Sequence, residues 1–119
     1  QLHHIQGEAL AGLYTQCDVG IAPLRKDVYR DFAIPVKLFE YLGHGLPVIV
    51  TDCKEMSAFV AKHQCGLVCE DNADALAAAI ETFYDEKTDR AALMAAAHRT
   101  AQENRWIDRA NQVVEDLSR

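Results

Sequence analysis

The chain predicts an α/β fold, a parallel sheet covered by helices, on three observations. Short apolar runs without polar alternation stand at residues 19–24, 46–51 and 67–69, as expected of strands covered on both faces. Helical periodicity fills the stretches between them, so strand and helix alternate as in right-handed βαβ units. The 119 residues, 50% hydrophobic and 25% charged, suffice for one core and hardly for two.

Residues 8–17 place Leu10, Leu13, Tyr14 and Cys17 at i, i+3, i+4 and i+7, the stripe of an amphipathic helix that should end near Asp18. VGIAPL, residues 19–24, is the first buried strand. A charged link follows, and then PVKLFEYL opens on a proline suited to a first helical turn and closes on Gly43 and Gly45, predicting a short helix over 35–43. LPVIVT, residues 46–51, is the next strand, 54–64 a helix closed by Gly66, and LVC, 67–69, a third strand. Asp71 to Asp74 forms a capping pair ahead of a helix carrying Leu76, Ile80, Phe83 and Tyr84 on one side. Two further helices are expected at about 88–104 and 106–118, the second turning Ile107, Ala110, Val113, Val114 and Leu117 inward. An opening strand at HHI, residues 3–5, is the weakest of these elements. Three or four strands against about six helical stretches is an unbalanced layer count for a finished domain, so more sheet is expected upstream; the initial Gln1 points the same way.

A formal net charge of −6 and a pI near 5.2 argue against nonspecific attraction to nucleic acid or to an anionic membrane surface. Cys17, Cys53, Cys65 and Cys69 lack the spacing of a zinc site, and reduced, mostly buried thiols are expected. The sequence carries no signal peptide and no apolar run of 18 residues. His3 and His4 are adjacent, so on a strand they would face opposite ways and not chelate together. Trp106 is expected to anchor the last helix by packing.

Ligands of open α/β sheets bind beyond the carboxyl ends of the strands, where the longest link here is RKDVYRDFAI, residues 25–34. Arg25, Lys26, Arg30 and Lys37 concentrate four of the twelve basic residues there, offset by Asp27 and Asp31. The following helix aims its N-terminus at the same place, which makes a plausible phosphate or diphosphate cradle; a solvated charged loop is the plainer alternative. On that helix Lys37, Glu40, Tyr41 and His44 share a polar face while Leu38, Phe39 and Leu42 turn inward. Glu40 has two readings. It is a partner in a surface pair with Lys37, worth about 0.2–0.5 kcal/mol, or a carboxylate that accepts sugar hydroxyls as acidic residues do for ribose in dinucleotide folds.

Pro35 to Thr51, P-x-K-L-F-E-Y-L-x-x-G-x-P-V-I-V-T, resembles the nucleotide-sugar-binding motif of the retaining glycosyltransferases with two Rossmann-like domains (the GT-B type), called glycosyl transferases group 1. LYTQCDVGIAPL before it, GLVCEDNADALAAAI after it and NRWIDRANQVVEDL from Asn104 are similar to the flanking and closing elements of the same family. The likeness thus covers nearly the whole chain, as the second half of the family's C-terminal domain. It implies that residues 1–119 are a partial, Rossmann-like donor-binding domain lacking its own start and the N-terminal acceptor domain, so that this segment alone is inactive.

By the same likeness Glu40 matches the motif's second glutamate and would hold the ribose of a nucleoside diphosphate sugar. Phe32, Ala33, Ile34, Pro35 and Val36 would offer backbone N–H groups and side chains to sugar and diphosphate, with Lys37, Arg30 and Arg25 near the charge. The family's first glutamate would fall on Phe32, with Asp31 one place away as the alternative carboxylate; members with the P-x-K-x-x-E-Y version often lack it, so its loss does not imply inactivity. The implied reaction moves the sugar, with retention, to a glycan or lipid-linked acceptor, as in polysaccharide biosynthesis. It needs no cofactor beyond the donor substrate and no metal, and involves no nucleic acid. The implied location is cytoplasmic, with peripheral attachment to the inner face of the membrane as an open alternative. No catalytic residue is assigned. Gln6 and Gly7 lie where the family contacts the base. A sugar-nucleotide epimerase of the same architecture and a noncatalytic nucleotide-binding α/β module are the rival readings.

Overall fold

The computed structural model describes residues 8–28, 31, 34–104 and 113–117. The elements run α1 (Glu8–Tyr14), β1 (Gly20–Ala22), α2 (Val36–Gly43), β2 (Val48–Thr51), α3 (Lys54–His63), β3 (Gly66–Cys69), α4 (Ala73–Tyr84) and α5 (Arg90–Glu103). The three strands form a parallel sheet in the order β1-β2-β3. The predicted α/β class is therefore the observed one. The proposed strand at 3–5, Trp106, and Ile107 and Ala110 of the last helix lie outside the described residues.

β2 is the central strand, and all four of its residues are buried, which is why its sequence is an unbroken apolar run rather than an alternation. Register sets Gly20, Ile21 and Ala22 beside Val48, Ile49 and Val50, and Val48 beside Gly66. Val48 and Val50 share one face with Leu38 and Leu42 of α2, Met56 and Val60 of α3, and Ala96 and Ala97 of α5. Ile49 points to the other face, and α4, with its buried Phe83, packs on β2 and β3. The alanines of α5 let that helix lie close to α2, and Thr100, buried on α5, donates its hydroxyl proton to the Ala96 carbonyl at 2.7 Å.

Several helix ends differ from expectation for physical reasons. Pro35 is the N-cap of α2 rather than its first helical residue, with φ −65° and ψ 144°. At the other end, Gly45 adopts φ 74°, Leu46 N–H donates to the Tyr41 carbonyl at 3.0 Å and Gly45 N–H to that of Leu42 at 2.9 Å. That is the double closure of a Schellman motif, for which the expected Gly45 is needed. α3 is closed not by Gly66 but by Gln64, in the left-handed region at φ 53°. Gly66 instead opens β3, where a Cβ would collide with the backbone carbonyl of Val48. α4 is capped by Asn72, whose side-chain oxygen accepts from Ala75 N–H at 2.8 Å, and not by the flanking aspartates. α1 stops at Tyr14, and Cys17 leaves the predicted stripe and is exposed. Cys53 and Cys65 are buried as expected. Val113, Val114 and Leu117 are exposed rather than inward, so the apolar stripe of that segment is not buried in the described core.

Candidate functional site

The carboxyl end of β1 leads through Pro23 and Leu24 into the basic link, and the link is fastened from three sides. Thr51, the last residue of β2, donates its hydroxyl proton to the Leu24 carbonyl, and the Cys53 thiol lies 3.8 Å from the carbonyls of Leu24 and Arg25. Asp71 accepts from Lys26 N–H at 3.0 Å. Asp31, whose own amide reaches the Asp27 carbonyl at 2.9 Å, accepts from Lys54 N–H at 3.0 Å, at the first residue of α3. The helix cap at that position, Cys53, makes no side-chain capping bond of its own, so the loop carboxylate supplies it.

Between this link and the start of α4 lies a cavity of about 310 Å³, lined by Pro23, Arg25, Thr51, Asp71, Asn72 and Leu76 among others. It opens where parallel sheets place ligands, at the strand carboxyl ends. A larger groove of about 540 Å³ runs from Gln64 to Arg99 along α5. It begins at the amino-terminal end of β3, away from those carboxyl ends, and the smaller cavity is the better candidate.

α2 presents the polar face its spacing predicts. Lys37, Glu40 and His44 are exposed, Tyr41 is half-buried, and Leu38 and Leu42 are fully buried behind them. Phe39 turns its ring edge-on to Phe59 of α3 at 5.5 Å. The N-terminus of α2 has no side-chain cap and no acidic residue in its first turn, so the positive end of its dipole is not offset locally.

Glu40 is exposed but not adrift. Tyr14, at the end of α1, donates its hydroxyl proton to Glu40 Oε2 at 3.4 Å. The Tyr14 ring is buried, edge-on to Tyr41 at 5.9 Å and tilted against His44 at 4.5 Å. Tyr41 in turn lies on Gly20, where any Cβ would overlap its ring, and donates to the Ile21 carbonyl at 3.3 Å. Burial, and next the charge of Glu40, push both tyrosine hydroxyls above the usual phenol range, so both keep the protons they donate.

Of the residues predicted for the site, Arg25 lines the strand-end cavity, Asp31 is bonded to α3, and Pro35, Val36, Lys37 and Glu40 belong to the helix beside the link. Ile34 is half-buried against the core. Arg30, Phe32 and Ala33 lie outside the described residues. Among the described residues predicted for the site, Arg25 lines the 310 Å³ cavity and Glu40 does not. Sequence reasoning missed Tyr14, Thr51 and Asp71. By spacing alone Tyr14 is an apolar stripe residue, although a tyrosine differs from a leucine there in bringing a proton donor. Among the described residues no three His, Cys, Asp or Glu side chains come together to hold a metal ion, and no helix is long and apolar enough to cross a membrane.

A parallel three-stranded sheet flanked by helices, with polar side chains past its carboxyl ends, defines an α/β protein of Rossmann-like type. More narrowly, the profile of glycosyl transferases group 1 matches residues 2–86, and the chain belongs to that family. Its fold and family are those of a glycosyltransferase. Neither the curated proteins nor the solved structures compared with it contain a significant match.

Proposed function

We propose that the chain is the donor-binding part of an enzyme that transfers a sugar from a nucleoside diphosphate sugar to a glycan or lipid-linked acceptor, with retention. Membership of a glycosyl-transfer family supplies the reaction class. The observation that carries the donor assignment is the exposed Glu40 carboxylate, held by Tyr14 on a helix whose N-terminus, without a side-chain cap, follows the carboxyl end of β1. In this reading Glu40 accepts the vicinal hydroxyls of the ribose. The Val36 end of α2, with Lys37, faces the diphosphate, where amide donors and a cation favour the charge that builds as the glycosidic bond breaks. Arg25, Arg30 and the segment from Asp31 to Pro35 complete the donor side. The chemistry uses fixed donors and cations and routes no step through a metal. The acceptor site, the C-terminal position in a two-domain enzyme, polysaccharide synthesis and a cytoplasmic or membrane-peripheral location belong to the same proposal.

Calorimetric titration of uridine, guanosine and adenosine diphosphates against the protein and its Glu40→Ala variant tests the reading. A loss of about tenfold or more in affinity for the preferred nucleotide is expected, since a hydrogen bond to a charged group is worth about 1.5–3 kcal/mol. Unchanged affinity rejects it.

A further inference from the structure

We infer that Tyr14 is a positioning residue for nucleotide recognition, aiming the Glu40 carboxylate so that its remaining lone pairs meet a ribose diol. The inference rests on the donor reading above and adds a residue from another helix to it.

Glu40 sits at mid-helix on an exposed face, where an unrestrained glutamate samples many rotamers and ordering it on binding carries an entropic cost. The Tyr14 hydroxyl limits that freedom by holding Oε2 at 3.4 Å. A carboxylate offers about four acceptor sites, so one tyrosine proton leaves the others for ligand hydroxyls. The tyrosine is itself fixed. Its ring is buried against Tyr41 and His44, Tyr41 is seated on Gly20 and tied to the Ile21 carbonyl of β1, and the Schellman closure holds the helix end that carries His44. The position of one carboxylate oxygen is thereby referred to the sheet through two rings. A tyrosine placed only to pack would not need its hydroxyl directed at the one carboxylate on this face of α2.

The test compares nucleoside diphosphates with their 2′,3′-dideoxy counterparts by calorimetry, on the protein and on Tyr14→Phe, Glu40→Ala and the double variant. Phenylalanine keeps the ring contacts and removes only the donor. The native protein should favour the ribonucleotide by about tenfold or more. Tyr14→Phe should cut that preference severalfold while leaving dideoxynucleotide affinity unchanged, and the double variant should be no worse than Glu40→Ala. If Glu40→Ala abolishes the preference and Tyr14→Phe retains it, the positioning role is wrong and the donor reading stands. Equal weakening of both nucleotides in Tyr14→Phe assigns the tyrosine to packing and also overturns the role. Absence of a ribose preference in the native protein, or of any nucleotide binding, removes the donor reading and this inference together.

Discussion

The Asp31 carboxylate and the Lys54 backbone N–H are 3.0 Å apart, which ties the link entering α2 to the first turn of α3. A carboxylate at a helix N-terminus satisfies an otherwise orphaned donor and meets the positive end of the dipole. The alternative from sequence, Asp31 standing in for the family's missing glutamate at Phe32, must compete with that structural bond. Asp31→Ala should lower stability by about 1 kcal/mol, measured by urea denaturation, and Asp31→Asn by less. A variant that leaves stability untouched while weakening donor binding would instead place Asp31 on the ligand.

Gly20→Ala should be among the more damaging small substitutions, because the added methyl would overlap the Tyr41 ring. Overpacking of this kind costs about 1–3 kcal/mol, and displacing Tyr41 should disturb Tyr14 and weaken nucleotide binding as well. Gly12 is the control. It lies within α1, and a methyl added there would meet nothing within 4 Å, so Gly12→Ala should raise stability by about 0.5–1 kcal/mol. Thermal melts of the two variants should therefore move in opposite directions.

Asn72→Ala removes the side-chain cap of α4 at Ala75 N–H, with an expected loss of about 1 kcal/mol. Asn72→Asp keeps an acceptor there and should be nearly neutral. Comparable losses from Asp74→Ala would show that the cap belongs to a different residue.

The cysteines should separate in a thiol-labelling time course without denaturant. Cys17 is exposed and should react first, whereas Cys53 and Cys65 are buried and should react only on opening. Burial pushes the Cys65 thiol above its ordinary pKa of 9.0. The sign follows from linkage. A raised native pKa favours the protonated native form, so its contribution is complete below the unfolded pKa and is lost as pH rises through the native one. Stability should accordingly fall above about pH 9, and Cys65→Ala should flatten that alkaline slope; an unchanged slope would assign the loss to other groups.

How far the sequence could be read follows from the kind of signal each feature leaves. The strands around Ile21, Ile49 and Leu67 and the helices between them are legible because periodicity and apolar runs are local. Helix ends are less so. Gly66 reads as a stop signal, yet its missing side chain serves the close approach of the Val48 carbonyl across the sheet, and the αL position passes to Gln64. The Asp71–Asp74 pair likewise reads as a cap, but Asp71 is bonded to Lys26 from a distant loop.

Sequence alone determined the parallel α/β class, the family likeness that the 2–86 match bears out, and the side of α2 on which Glu40 would lie. These depend on residues within a few turns of one another, and a one-dimensional pattern records them. Only the tertiary structure decided that Tyr14 meets Glu40 across 26 positions, that Asp31 serves α3, and that Gly20 makes room for Tyr41. Each of those pairings depends on how the crossovers bring separate helices and strands together, and the spacing of residues along a chain does not encode which side chains a fold will set face to face.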